Sequence, residues 1–209
     1  MIDLQPIDYN IKIITMGNAN SGKSSLTERL CRNRCPRTYE PTIGVEFSSM
    51  IYNSEDGLKY KIMFWDTAGQ ETFAPIVKSY YKNIAGIFYL IDLTDRRSFT
   101  RFNYWLDEFH KNKTCDAKIL VVGNKLDKQR RIKKEEMEYI TRVKNLDYIE
   151  VSVKTGENIE KVGEILFNNI INNFDKEKHP GIHNLKAKNE LNLIKTEREC
   201  QTDTCCTIS

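Results

Sequence analysis

From residue 8 to about residue 174, short apolar runs alternate with stretches in which apolar side chains recur every three or four positions. Ile11-Lys12-Ile13-Ile14-Thr15-Met16 is rich in β-branched residues and reads as a strand. Val45–Tyr52 and Leu58–Trp65 flank Asn53-Ser54-Glu55-Asp56-Gly57, whose turn formers signal a hairpin. Gly86–Ile91 and Lys118–Val122 are almost continuously apolar, as expected of parallel strands covered on both faces. Tyr148–Ser152 is a sixth, weaker candidate. Phe99, Phe102, Trp105, Leu106 and Phe109 fall on one helical stripe, and Ile159, Val162, Leu166, Ile170 and Phe174 on another. Strands alternating with helices predict an α/β fold with a six-stranded, doubly wound, mostly parallel sheet. Its one antiparallel strand comes from the hairpin, and helices cover both faces. After Phe174 the pattern stops, His179-Pro180-Gly181 ends any helix, and polar residues dominate. Residues 1–174 therefore read as one domain and 175–209 as a flexible tail.

Composition narrows the class. Forty percent of the 209 residues are hydrophobic, enough to fill one core. The balance of 32 Lys+Arg against 29 Asp+Glu gives +3, too little for a nucleic-acid-binding chain. The longest apolar run, Ile84–Ile91, is far shorter than the roughly 20 residues of a membrane span. Met1-Ile2-Asp3-Leu4-Gln5 has neither a basic nor an apolar leader region, and no cysteine spacing matches a zinc site or a disulfide framework. A reduced, intracellular setting is the expectation.

The first strand runs into Gly17-Asn18-Ala19-Asn20-Ser21-Gly22-Lys23-Ser24, a full match to G-x-x-x-x-G-K-[ST] between a strand and a helix. Such a loop turns backbone N–H groups inward around a polyphosphate, and the helix adds its positive end. Gly17, Asn20, Ser21, Gly22, Lys23, Ser24 and Ser25 are the expected phosphate contacts, with the Lys23 charge beside the β- and γ-phosphates and the Ser24 hydroxyl on Mg²⁺. Asp66, at the end of a strand in Trp65-Asp66-Thr67-Ala68-Gly69-Gln70, would hold the same Mg²⁺ through a water. The Gly69 N–H would report the γ-phosphate, and Gln70 would orient an attacking water, since a neutral amide is too weak a base to abstract its proton. Thr42, in Tyr39-Glu40-Pro41-Thr42-Ile43-Gly44, offers a second metal hydroxyl when that loop folds over a triphosphate.

The fifth strand ends in Asn124-Lys125-Leu126-Asp127. Guanine carries donors at N1 and N2 that one carboxylate, Asp127, can accept together. Adenine would leave that carboxylate unpaired, a discrimination of about 10⁴-fold. Asn124 would brace the loops, the Lys125 stem would lie along the purine, and Ser152-Val153-Lys154 would supply a backbone N–H to O6.

With these residues in view, the chain resembles the small Ras-superfamily GTPases over about residues 8–174, and among them the Rab family. The Rab-like character rests on Ile43-Gly44-Val45-Glu46-Phe47, Lys61-Ile62-Met63-Phe64-Trp65-Asp66, Tyr80-Tyr81-Lys82-Asn83 and Leu90-Ile91-Asp92-Leu93-Thr94. The resemblance implies a P-loop small-GTPase fold and a Mg²⁺-dependent, slow hydrolysis of GTP to GDP. It also implies partners: effectors, an exchange factor (GEF), a GTPase-activating protein (GAP) supplying an arginine, GDI and a Rab escort protein. The effector patch would comprise Ile43, Gly44, Phe47, Trp65 and Tyr80, although for Trp65 burial in the core is an equal alternative. Cys35 stands where the family usually has an aromatic against the guanine, which predicts faster nucleotide exchange. Ala19 and Asn20 depart from many relatives and predict slow intrinsic hydrolysis, while Val153 replaces the usual alanine without cost because only its N–H is used.

The tail from Asp175 carries six basic and six acidic residues, so its anchor cannot be electrostatic. Cys205-Cys206-Thr207-Ile208-Ser209 looks like a doubly geranylgeranylated Rab terminus, with Cys205 and Cys206 as acceptors; it also fits a farnesyl-plus-acyl pattern. The expectation is a monomer on the cytoplasmic face of an intracellular membrane, cycling with the cytosol and binding no nucleic acid. An ATP-using P-loop enzyme, a Ras- or Rho-type signalling GTPase and a nucleotide-binding module with little hydrolysis remain alternatives. The Lys128–Lys134 basic cluster reads as a solvated loop leading into a helix, His110, His179 and His183 lack companion ligands, and the Phe99–Phe109 stripe reads as core.

Overall fold

The computed structural model describes residues 6–35, 42, 44–67 and 79–185. Its strands are β1 (Tyr9–Met16), β2 (Val45–Asn53), β3 (Lys59–Thr67), β4 (Gly86–Asp92), β5 (Lys118–Asn124), β6 (Asp147–Glu150) and β7 (Ile182–Asn184). Its helices are α1 (Lys23–Arg32), α2 (Arg96–Thr100), α3 (Phe102–Asn112), α4 (Lys134–Val143) and α5 (Ile159–Asn173). The sheet order is β2-β3-β1-β4-β5-β6, parallel except for the antiparallel β2–β3 hairpin and for β7 against β1.

Alternation along the central strands decides how the helices pack. Ile11 and Ile13 of β1, Phe88 and Leu90 of β4, and Leu120 and Val122 of β5 face one buried cluster, closed by Leu26 of α1 and by Val162, Leu166, Phe167 and Ile170 of α5. The residues between them, Ile14, Met16, Ile87, Tyr89, Ile91 and Val121, face a second cluster, closed by Phe102, Trp105, Leu106 and Phe109 of α3 and Met137 of α4. Both faces are covered, so β4 is buried at every position and its sequence shows no polar alternation. Because β1, β3, β4 and β5 are parallel, their carboxyl ends share one rim, with Thr15 opposite Asp66 and Asp92 opposite Asn124.

The fold departs from the sequence expectation in three places. The aromatic stripe is split between α2 and α3 at Arg101, and the Asp95 carboxylate caps α2 by accepting from the Arg97 N–H at 3.0 Å. The sixth strand ends at Glu150, leaving Ser152 in an isolated bridge to Glu157. Order also continues past Phe174 instead of giving way to a tail. Phe174 lies just beyond α5 and stacks on His179 with ring centroids 4.1 Å apart. The chain then turns back to lay β7 along the start of β1, in the lane of β4, with Ile182 buried. Tyr9 donates to Glu177 at 2.8 Å, Lys176 pairs with Asp56 of the β2–β3 turn at 2.7 Å, and the Leu185 N–H reaches the Asp8 carbonyl at 2.9 Å.

Gly181 makes this return possible. Its carbonyl accepts from the Lys12 N–H at 2.9 Å, and a Cβ on it would sit 2.5 Å from the backbone at Ile84 and Ala85, which cannot retreat. Gly181→Ala is therefore expected to lift β7, lowering stability by about 1–3 kcal/mol in denaturant unfolding and exposing the Lys12 amide to hydrogen exchange. Unchanged protection at Lys12 would show that the close approach is not what docks the strand.

Candidate functional site: a phosphate loop and a base-reading rim

The rim formed by the carboxyl ends of β1, β3, β4 and β5 carries the described candidate residues of the phosphate loop, the base-reading loops and Asp66. Asn124, at the end of β5, is buried and its carboxamide joins three loops. Its Nδ2–H donates to the Ser21 carbonyl at 2.8 Å, while Oδ1 accepts from the Lys125 N–H at 2.7 Å and the Val153 N–H at 3.2 Å. Gly22 lies in the left-handed region at φ 100°, where a Cβ would come 2.2 Å from that same Nδ2. The glycine of the phosphate loop is thus required by the brace as well as by the turn.

Lys23 opens α1 and is buried, its ammonium donating to the carbonyls of Gly17 at 3.1 Å and Asn18 at 2.9 Å. Burial pushes it down to about 8 from its usual 10.5, against the pull of the Asp66 carboxylate. Asp66 Oδ1 accepts from the Thr15 hydroxyl at 2.6 Å, whereas Oδ2 is buried with no partner among the described residues. Ser24 Oγ and Thr42 Oγ1, 18 positions apart in sequence, share a hydrogen bond at 2.8 Å in which either hydroxyl can donate. Two oxygens bound side by side on Mg²⁺ at 2.0–2.1 Å are about 2.9 Å apart, so this pair matches one edge of its octahedron. Oxygen donors and an orphaned buried carboxylate oxygen suit a hard divalent cation, and the residues present fit Mg²⁺.

On the base side, the structure brings Asn124, Lys125, Asp127, Ser152 and Val153 together. Ser152 is fully buried and donates its hydroxyl to Asp127 Oδ1 at 2.7 Å while accepting from the Thr155 N–H at 3.1 Å, so it orients the carboxylate from behind. The Val153 N–H, expected to face a ligand, is engaged by Asn124 and serves the brace. Lys154 contributes its carbonyl to Arg29 Nη2 at 3.2 Å, tying α1 to this loop. Lys125 sits at φ 70°, a strained position for a non-glycine residue, and its ammonium pairs with Asp92 Oδ2 at 2.6 Å. The other Asp92 oxygen accepts from the Thr94 N–H and hydroxyl at 2.9 and 2.6 Å. Asp92 and Arg29 were not among the sequence-derived site residues. An acidic residue closing a buried strand beside a lysine-bearing loop was the available signal for Asp92; nothing in the sequence pattern marked Arg29.

Of the aromatic patch, Phe47 is 53% exposed and meets Trp65 edge-on at 5.3 Å, and Trp65 lies 5.2 Å from Tyr80. Trp65 is half-buried, packed in part against the second core cluster. Gly44 immediately precedes β2, and Cys35 packs partly buried against the first cluster. Asn20 and Ser25 occupy the phosphate loop and the first turn of α1. Ile43, Gly69, Gln70, Cys205 and Cys206 lie outside the described residues.

A doubly wound sheet whose rim carries a G-x-x-x-x-G-K-[ST] loop and an Asn-Lys-x-Asp loop defines a P-loop nucleotide-binding protein of the small-GTPase type. The chain matches the model of the Ras family over residues 12–176. It is 37% identical over 169 residues to Ras-related protein Rab-39A of Mus musculus, covering 78% of each chain. It is 32% identical over 173 residues to Ras-related protein rab-39 of Caenorhabditis elegans, covering 80% of this chain and 76% of that one. Against Ras-related protein Rab-1 of Theileria parva the identity is 37% over 161 residues, covering 76% and 73%. The chain belongs to the Rab family of small GTPases, and with that to the GTP-hydrolysing proteins of vesicle trafficking. Effectors, exchange factors, GTPase-activating proteins and GDI are its partner classes, and it associates with intracellular membranes. Among the described residues no helix is long and apolar enough to cross a membrane.

The burial of Lys23 makes nucleotide binding proton-linked. Unfolded chains hold this proton up to the usual 10.5 and the folded free protein only to about 8, so stability of the free protein rises with pH across that window. A polyphosphate against the ammonium restores its basicity. GDP binding at pH 9 is therefore expected to take up most of one proton at Lys23, read by calorimetry in buffers of different ionisation enthalpy. A proton-neutral reaction at pH 9 would refute it.

Proposed function

We propose that this chain is a Mg²⁺-dependent switch whose GTP form holds an effector-binding surface on an intracellular membrane and whose GDP form is returned to the cytosol. The observation that carries the reading is the convergence of the Ser24 and Thr42 hydroxyls at 2.8 Å beside a phosphate loop, with Asp66 Oδ2 buried and unpaired among the described residues. Ser24 and Thr42 would hold Mg²⁺ directly and Asp66 through a water. When bound, the cation neutralises charge shared between the β- and γ-phosphate oxygens. The chain's own groups do the rest. Lys23 stabilises the same oxygens, the loop N–H groups of Gly17, Asn20, Ser21, Gly22, Ser24 and Ser25 fix the polyphosphate, and the Gly69 N–H reads the γ-phosphate. Gln70 orients the attacking water in line with the leaving diphosphate. Asp127, oriented by Ser152, accepts from guanine N1 and N2, and the Lys125 stem covers the purine face. Thr42 links hydrolysis to shape, because its segment leads in sequence through Ile43 and Gly44 into β2, which carries Phe47 of the aromatic patch with Trp65 and Tyr80.

The chain acts as a monomer and binds no nucleic acid. Two prenyl groups on Cys205 and Cys206, added with a Rab escort protein, would anchor it, since one lipid chain gives only marginal binding and the tail is charge-neutral. Tagged wild-type protein is expected to divide between cytosol and one membrane compartment. Gln70→Leu should enrich on that membrane and slow single-turnover GTP hydrolysis, whereas Ser24→Asn should lose the membrane and bind GTP poorly. Identical distributions of the three proteins would overturn the switch.

A further inference from the structure

The aromatic stripe of α3 reads in sequence as core, and Trp105 is indeed only 3% exposed. Its indole, however, makes one directed polar contact: Nε1–H donates to Oδ1 of Asn18, in the phosphate loop, at 3.0 Å. The other end of the same carboxamide is also held, Nδ2–H donating to the Arg97 carbonyl of α2 at 3.3 Å. An indole N–H can only donate and a carbonyl can only accept, so these partners fix the orientation of the Asn18 amide. An aspartate could serve the first contact but would face the Arg97 carbonyl with a second negative oxygen.

Asn18 is the residue whose own carbonyl accepts from the Lys23 ammonium at 2.9 Å and from the Ser21 N–H at 3.3 Å. The side chain of one loop residue is therefore gripped by α2 and α3 while its backbone aims the lysine and closes the loop. We infer that Trp105 is a positioning residue for the phosphate cradle: through Asn18 it fixes the carbonyl that directs Lys23, and so sets how long a guanine nucleotide is retained. Asn124 holds the cradle from the base side, at Ser21; Trp105 holds it from the opposite side. The inference builds on the cradle's phosphate-binding role, and the test separates the two.

Trp105→Phe keeps the aromatic packing and removes the donor. Loss of one buried hydrogen bond of this kind is expected to speed release of fluorescent GDP by roughly three- to tenfold, with guanine nucleotide still bound at stoichiometry. Asn18→Ala should give a similar acceleration, and the double variant should be no faster than the quicker single one, because both remove the same contact. A spectroscopic readout distinguishes positioning from packing. In Asn18→Ala the Trp105 indole N–H should lose protection from solvent exchange while core methyl signals keep their wild-type shifts. Multiplicative effects in the double variant, or wild-type GDP release in a folded Trp105→Phe protein, would overturn the inference. Failure of wild-type protein to bind GDP at all would instead overturn the cradle.

Discussion

Three loops from three places in the chain meet on one buried carboxamide. Asn124 donates to the phosphate loop at Ser21 and accepts from its own loop at Lys125 and from the segment after β6 at Val153. A buried amide left unpaired costs about 1–3 kcal/mol per group, so the loops are held to the single arrangement that satisfies it. The rest of the site inherits that arrangement. Gly22 is glycine because the amide occupies the space of its Cβ, α1 starts where the loop leaves off, and the neighbouring Asp127 is held by the Ser152 hydroxyl. The G-x-x-x-x-G-K-[ST] loop and the Asn-Lys-x-Asp loop, joined at Ser21 and Asn124 across 103 positions of sequence, are thus held together through one side chain.

Charge in the site follows a similar economy. Lys125 and Asp92 form a short pair, largely shielded, and Asp92's remaining oxygen is saturated by Thr94. Such a pair fixes a loop more than it stabilises a fold. Arg96 and Glu136, by contrast, meet at 2.6 Å with side chains 50% and 31% exposed, where solvent leaves an ion pair worth little. Lys23 follows neither pattern. Its hydrogen bonds go to neutral carbonyls and the Asp66 carboxylate acts on it only through space, so no carboxylate among the described residues pairs with it directly. A desolvated ammonium of this kind would attract the polyphosphate proposed to bind here.

Much of this was legible in the sequence. The central strands announced themselves because both of their faces are covered, and the phosphate and base-reading residues because their spacing is fixed by ligand geometry between recognisable elements. What escaped were contacts that pattern cannot carry. Trp105 sat in a perfect helical stripe, and its indole N–H is invisible to periodicity. Asp92 looked like the end of a strand until its lysine was placed. Ser152 was read only as part of a segment offering a backbone N–H to guanine, and no sequence pattern shows that its buried hydroxyl donates to Asp127. The split at Arg101 interrupts a stripe whose phase barely changes across it. β7 contains a single buried apolar residue, Ile182, in a polar stretch just after a proline and a glycine, too little for any two-residue period to show.

β7 also changes where mechanical load enters the domain. A chain leaving directly from Phe174 would tug on the end of α5. Leu185, the last described residue, is instead bonded to Asp8, and a tug on it is carried by the pairs Asn184–Tyr9, His183–Asn10 and Ile182–Ile11 in turn. Tension from that side arrives on the strand that leads straight into Gly17, and the rung nearest the pull is the outermost one, with the buried isoleucine yielding last.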